Sequence, residues 1–184
     1  MESRQGQLLI SSTDLLDPNF HQTVTLIVQH NEDGALGLTL NRPLEISFSE
    51  AWVKVSESPC EYSGALLLGG PCEGPVMLLH SNISYAQLTV MEGLYFCTEQ
   101  EDVRWLVEHV PENIRCFAGY AGWGPMQLED ELELGSWMTT DATPELVFDD
   151  DPSNQWIEIL KTINPTQAQM IQNPNIVPND PSMN

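Results

Sequence analysis

A chain of 184 residues with 41% apolar content fits one domain, and roughly 70% of its extended-chain surface should be buried on folding. Its 27 acidic and 6 basic residues leave a formal net charge of -21, which repels a phosphate backbone and offers few groups to neutralise one. Direct nucleic-acid binding is therefore disfavoured, and basic protein surfaces or divalent cations are the easier partners.

In chain order, Leu8 to Ser11 reads as a short strand, followed by a polar loop through Asp14, Asp17 and Pro18. Val24 to Gln29 and Ala35 to Leu40 are rich in branched residues and pair as a hairpin across His30 to Gly34. Pro43 ends the second strand. Ser47 and Glu50 match a capping box, with Phe48, Ala51, Trp52 and Val55 as an apolar stripe behind it. Ala65 to Leu68 and Val76 to Leu79 read as two strands joined by a constrained turn through Gly69, Gly70, Pro71, Gly74 and Pro75. Leu94 to Cys97 is another strand, and Thr98 with Glu101 predicts a second capping box before a helix burying Val103, Leu106, Val107 and Val110.

The stretch RCFAGYAGWGPMQLEDELELGSW, Arg115 to Trp137, follows. It predicts a strand from Ile114 to Ala118, then a turn holding Gly119, Tyr120, Gly122, Trp123 and Gly124, then a helix opening at Pro125 with Leu128 and Leu132 inward and its acidic residues around the other faces. Two readings of the turn stand open. Tyr120 and Trp123 either close one end of the core or wall a ligand-contacting loop. Glu145 to Phe148 reads as a late strand, Asp149 to Asp151 as a solvated acidic loop, and Ser153 as the cap of a helix through Ile163. Residues 1–163 form the expected single domain. Residues 164–184, rich in proline and asparagine, form the expected partly disordered tail, with an extra helical turn over Thr166 to Gln172.

Composition and spacing supply little catalytic apparatus. The glycine motifs match neither a P-loop nor a dinucleotide fingerprint. Ser81 beside His80 lacks a nucleophile-elbow context, and the scattered histidines and cysteines give no zinc spacing. The opening MESRQGQ has no secretory pattern and no apolar run is long enough for a bilayer, so neither export nor membrane insertion is expected. Cys60, Cys72, Cys97 and Cys116 are widely spaced, which predicts free thiols in a reducing cytoplasm, with Cys97 and Cys116 as core fillers.

Several motifs together resemble the YqgE/AlgH family of bacterial proteins: GQLLIS, Phe20 before VTLIVQH, GALGLTLNRP, LLLGGP, VMLLHS, FAGYAGWGPMQLEDEL with Trp137, LVF, and Trp156. The resemblance spans about Gly6 to Ile163 and departs at Ser12-Thr13, where the family usually has alanine-proline. It implies a compact α+β or mixed α/β fold without a settled biochemical activity; one branch of the family is described as a regulator of alginate production. Consecutive hairpin-like strands themselves predict α+β, with a mixed or largely antiparallel sheet flanked by helices, a partly closed barrel being the alternative.

Carried onto this chain, the family's motifs single out Asn41, Arg42, Gly69, Gly70, Pro71, His80, Gly119, Tyr120, Gly122, Trp123, Gln127 and Glu129 as an expected ligand or interaction site. Each segment ends an expected strand, so the site is placed where those ends converge. A glycine-rich fold lock with no room for a ligand is the competing arrangement. No catalytic residue, metal ligand or cofactor is assigned. The expected function is non-enzymatic, a regulatory or protein-interaction role, with a small anionic metabolite-binding protein as the alternative and a hydrolase behind it.

Overall fold

The fold was read from a computed structural model, which describes residues 2–149 and 151–172. Ten strands and six helices make up the described α+β fold. Strands β1 (Gln7–Ser11), β2 (Val24–Asn31), β3 (Gly34–Thr39), β4 (Pro43–Ser47) and β5 (Ala65–Leu68) come first, with helix α1 (Phe48–Val55) between the last two. Strands β6 (Cys72–His80), β7 (Leu88–Met91) and β8 (Leu94–Cys97) precede helix α2 (Gln100–His109). Then come β9 (Ile114–Trp123), α3 (Gln127–Glu133), β10 (Trp137–Asp141), α4 (Pro144–Val147), α5 (Gln155–Ile163) and α6 (Pro165–Gln172).

The sheet order is β10-β1-β2-β3-β9-β6-β8-β7, with β4 joined through β5 to β9. Pairing is antiparallel except for β5 on β9. The sheet is not closed into a barrel. The segment ahead of β1, the strand next to the β10 edge, nevertheless reaches the opposite edge, where the Gln5 amide donates to the carbonyls of Thr89 and Val90 on β7 at 3.1 and 3.3 Å.

Strand β9 organises the sheet. It lies between β3 and β6, and takes β5 along Cys116–Ala118 and β3 along Ala121–Trp123 in tandem. Side chains of a strand alternate between faces. Phe117 enters the main core with Leu8, Leu26, Leu38 and Trp156, whereas Cys116 joins Phe48, Trp52 and Leu106 under α1 and α2. Past Gly119 the phase changes: Tyr120 packs toward the main core, while Ala121 and Trp123 join Leu128 and Trp137 under α3. Gly119, at φ +72, is where this alternation shifts, opposite the register break between Cys72 and Val76 of β6. The predicted turn over Gly119 to Gly124 is thus corrected to a strand that continues through Trp123.

Local signals explain both the agreements and the other corrections. Ser47 and Glu50 form the expected reciprocal capping box. The Thr98 and Glu101 box does not form, because both the backbone N–H and the hydroxyl of Thr98 donate to Gln87 Oε1 at 2.8 and 3.0 Å. The strand expected over Glu145 to Phe148 is helix α4, since Thr143 caps it at the Leu146 N–H and Pro144 presets its first turn. Helix α3 begins at Gln127 rather than Pro125, after Met126 turns the chain at φ +63. Helix α5 begins at Gln155, after a 3-10 turn over Pro152–Asn154, and not on a Ser153 cap. Helix α6 packs on α5 and buries Ala168, so the boundary drawn at Ile163 falls between two packed helices; the tail beyond Gln172 lies outside the described residues.

The four cysteines are free, as expected. Cys97 and Cys116 flank Leu78 from neighbouring strands, and burial pushes the Cys97 thiol up to about 12 and the Cys116 thiol well above its ordinary value. Those two thiols are core fillers with little nucleophilic thiolate at neutral pH. Among the described residues no helix is long and apolar enough to cross a membrane.

Candidate functional site

The glycines expected at the site meet at the junction of β3, β5 and β9. Gly69 donates its N–H to the Ala118 carbonyl at 2.9 Å and accepts from the Thr39 N–H at 2.8 Å, tying three strands through one residue. A Cβ on Gly69 would lie 2.3 Å from the Gly119 carbonyl oxygen, and one on Gly70 would lie 2.2 Å from the Tyr120 carbonyl carbon. Contacts this close leave no room for a side chain against rigid backbone. Pro71 follows and leads into β6, where Cys72 pairs with Tyr120. Gly122 sits opposite Leu36 of β3. This cluster has the close-packed character of the fold lock.

Helix α3 covers the far end of β9 through a polar network. The Trp123 and Trp137 indoles both donate to Glu131 Oε2, at 2.9 and 2.8 Å, and Gln127 Nε2 donates to Glu131 Oε1 at 3.0 Å. Gln127 Oε1 accepts the Gly124 N–H at 3.0 Å, so one glutamine ties the helix start to its own i+4 carboxylate. Phe20 stacks on Trp123 at 6.3 Å between centroids and meets Trp137 edge-on at 5.4 Å. Glu129 points elsewhere, its Oε1 2.9 Å from His30 Nε2 in a contact too bent for a linear hydrogen bond. His30 Nδ1 accepts the Arg4 N–H at 2.9 Å, which leaves Nε2 as the protonated ring nitrogen facing that carboxylate.

Sequence reasoning missed Glu131, placed among outward acidic residues, and the role of His30. The signal for Glu131 was its i+4 spacing from Gln127 on a helix flanked by two tryptophans.

Asn41 and Arg42 lie between β3 and β4, on the side facing α5 and α6. Asn41 accepts the Val24 N–H at 3.0 Å and donates to the Gln22 carbonyl at 2.8 Å, so both ends of its amide hold the neighbouring strand. Arg42 donates to the His21 carbonyl, and partial burial lowers its pKa from the usual guanidinium value. Arg42 and Asn41 line a cleft of about 310 Å³ with Gln22, Asn154, Trp156 and Ile157. Of the expected site residues these two reach a concave surface together.

His80 stands apart from all of them. It pairs with Ile114 at the start of β9, so Trp123 at the strand's other end lies about 25–30 Å away at the ordinary rise per residue. The expected convergence therefore divides into a glycine junction, an α3 network, an Arg42 cleft and a separate buried histidine. His80 is 0% exposed, and among the described residues neither ring nitrogen has a partner in good hydrogen-bonding geometry, although the backbones of Asn82 and Tyr85 lie close. Burial pushes its pKa down to about 4, opposed by those backbone groups and by Asp102.

This depression has a definite sign in stability. Above the unfolded-state value of about 6.5 neither state binds the proton, and His80 carries no pH-dependent penalty. As pH falls from about 6.5 to 4 the unfolded chain takes up a proton that the native ring refuses, so stability should drop by up to roughly 3 kcal/mol. Urea denaturation across that range should show the drop in the native chain and a flattened profile in His80→Leu. An unchanged acid limb in the variant would show that other groups produce it.

Among the described residues no group of three or more His, Cys, Asp or Glu is placed to hold a metal ion. What the motifs define is a curved α+β sheet locked by glycine contacts and capped by one acidic helix. A family model for AlgH-like proteins matches residues 8–168. The chain belongs to this AlgH-like family, also designated UPF0301. It is 38% identical over 159 residues to a UPF0301 protein of Chlorobaculum tepidum, covering 83% of each chain, and 33% identical to one of Streptomyces avermitilis, covering 100% of this chain and 97% of that protein. The solution structure of AlgH from Pseudomonas aeruginosa superposes with a TM-score of 0.74 at 30% identity, covering 93% of this chain and 94% of that one. A crystal structure of a Corynebacterium diphtheriae protein shares the fold, with a TM-score of 0.71 at 22% identity over 91% of each chain.

Proposed function

We propose that the chain is a non-enzymatic regulatory protein of the cytoplasm that works by binding a protein partner with a basic surface. The observation that carries this reading is where the polar groups of its motifs are spent. Asn41, Gln127, Glu129 and Glu131 all engage groups of their own chain, and the glycines pack against backbone, so these motifs specify architecture. The net charge of -21 favours a basic partner through long-range attraction. Free thiols, two of them deeply buried, accord with a reducing compartment.

Affinity capture from the cell of origin, followed by direct binding of each purified candidate, tests this. A specific partner should bind at low salt and weaken steeply as ionic strength rises. Binding that is indifferent to salt, or no candidate that binds directly, would count against it. A second reading, a small-anion binder, is favoured by the partly buried Arg42 guanidinium in its cleft. Inorganic phosphate and citrate should then perturb Arg42 and Asn154 in the native chain and leave Arg42→Ala unaffected.

A further inference from the structure

On the side of the molecule where β10, α4 and α5 meet, a second cleft of about 340 Å³ opens between Thr140 and one face of α5 from Gln155 to Ile163. Its walls divide by chemistry. Leu146, Ile159 and Ile163 supply the apolar surface, while Asp149, Gln155 and Glu158 supply oxygen acceptors, with Asp149 Oδ1 also accepting the Asp151 N–H at 3.0 Å. Among the described residues no lysine or arginine lines it. Lys161 instead holds Glu158 Oε1 at 2.6 Å in an exposed pair.

Gln155 adds a neutral, buried acceptor to the acidic residues of the cleft. Its side chain is 3% exposed and lines the cleft; Nε2 donates to the Leu146 carbonyl, while Oε1 is buried with no donor among the described residues. A buried carbonyl oxygen without a donor keeps its desolvation cost and lacks the bond that would offset it. The group that would complete it must be a hydrogen-bond donor. Beside Asp149 that donor gains further by being cationic, and beside Leu146, Ile159 and Ile163 by carrying a short aliphatic stem. A bare divalent ion matches this less well, because the described residues bring no third carboxylate, histidine or thiolate to the group and the apolar wall gives it nothing.

We propose that this cleft binds a primary alkylammonium group, with its charge held by Asp149 and Gln155 Oε1 and its stem packed on the aliphatic wall. The same chemistry is offered by a free aliphatic amine and by a lysine side chain on another protein. The proposal goes beyond the interaction reading and holds or fails separately from it, since a free amine can occupy the cleft whether or not a protein partner exists.

Amide NMR titration of the full chain at constant physiological ionic strength tests it with n-butylamine, Nα-acetyl-lysine amide, n-butanol and tetramethylammonium. Butylamine should give saturable shifts concentrated at Thr140, Gln155 and Thr162. Butanol, which lacks the charge, and tetramethylammonium, which lacks the N–H donors, should not. Asp149→Asn should weaken butylamine binding roughly tenfold or more, the effect of losing one charge-assisted hydrogen bond. Gln155→Met should abolish saturation; should that variant fold poorly, Asp149→Asn decides alone. Saturation by the lysine amide as well identifies a partner's lysine as an admissible source, and saturation by butylamine alone assigns the site to a free amine. The proposal is overturned if neither amine saturates, if butanol shifts the same residues equally, or if the shifts spread over acidic loops remote from the cleft.

Discussion

Gly70→Ala should destabilise the chain by at least about 4 kcal/mol, a large share of the roughly 5–15 kcal/mol by which an ordinary domain is stable. The added methyl would sit 2.2 Å from the Tyr120 carbonyl carbon and 2.3 Å from the Ala121 nitrogen, both in the strand on which the sheet is built. Backbone in the middle of a ladder cannot yield as a flexible side-chain tip can, so relief requires moving β5 away from β9 and breaking the Gly69 hydrogen bonds to Ala118 and Thr39. Gly70 also has φ +156, at the margin of what other residues adopt. Gly135→Ala separates steric from conformational cost. Gly135 holds φ +74 after α3 with nothing within 4 Å of where the methyl would stand, so its replacement should cost only about 1–2 kcal/mol. Urea midpoints for both variants check the contrast, and equal costs would mean that the junction can relax.

Glu131→Leu should cost about 2–6 kcal/mol, because it strands two indole N–H donors, each worth about 1–3 kcal/mol when buried without an acceptor. Trp123 and Trp137 are 6% and 4% exposed, which leaves them little access to replacement water. The substitution also frees Gln127, whose other amide atom holds the Gly124 N–H, so the start of α3 should fray along with the loss. Glu133→Leu, two positions along on the exposed face, should stay within about 0.5 kcal/mol of the native chain. Tryptophan fluorescence and urea denaturation read both effects in one titration.

Gly70 is singled out by the sequence, whereas Glu131 falls there among outward acidic residues and its network is not visible. Patterns that act over a few residues are visible along the chain: the Ser47 and Glu50 box, the β2 and β3 hairpin, the Val103, Leu106 and Val107 face of α2, and the α+β class itself, whereas Val110 follows the helix and is only partly buried. Gly119 misleads because a glycine that shifts the phase of a strand and a glycine that ends one look alike in sequence; only its partners β5 and β3 distinguish them. Helix α4 is masked because Leu146, Val147 and Phe148 favour a strand, whereas the Thr143 and Pro144 start signal prevails. The candidate site is legible as a set of residues and illegible as a place. His80 on β6 pairs with the first residue of β9 and Trp123 is the last residue of β9, a separation set by register, which no local pattern encodes.

Whether the tryptophan and acidic motif around α3 holds the fold together is tested most directly by a double-mutant cycle between Trp123 and Glu131. Trp123→Phe removes the indole donor while keeping an aromatic ring against Phe20, and Glu131→Gln keeps the length of the acceptor while removing its charge. Urea denaturation of the native chain, both single variants and the double variant should give a coupling energy of at least about 1 kcal/mol, as residues sharing one buried network do. Additivity within about 0.3 kcal/mol would mean that the two side chains act independently, and would contradict the architectural reading of the motif.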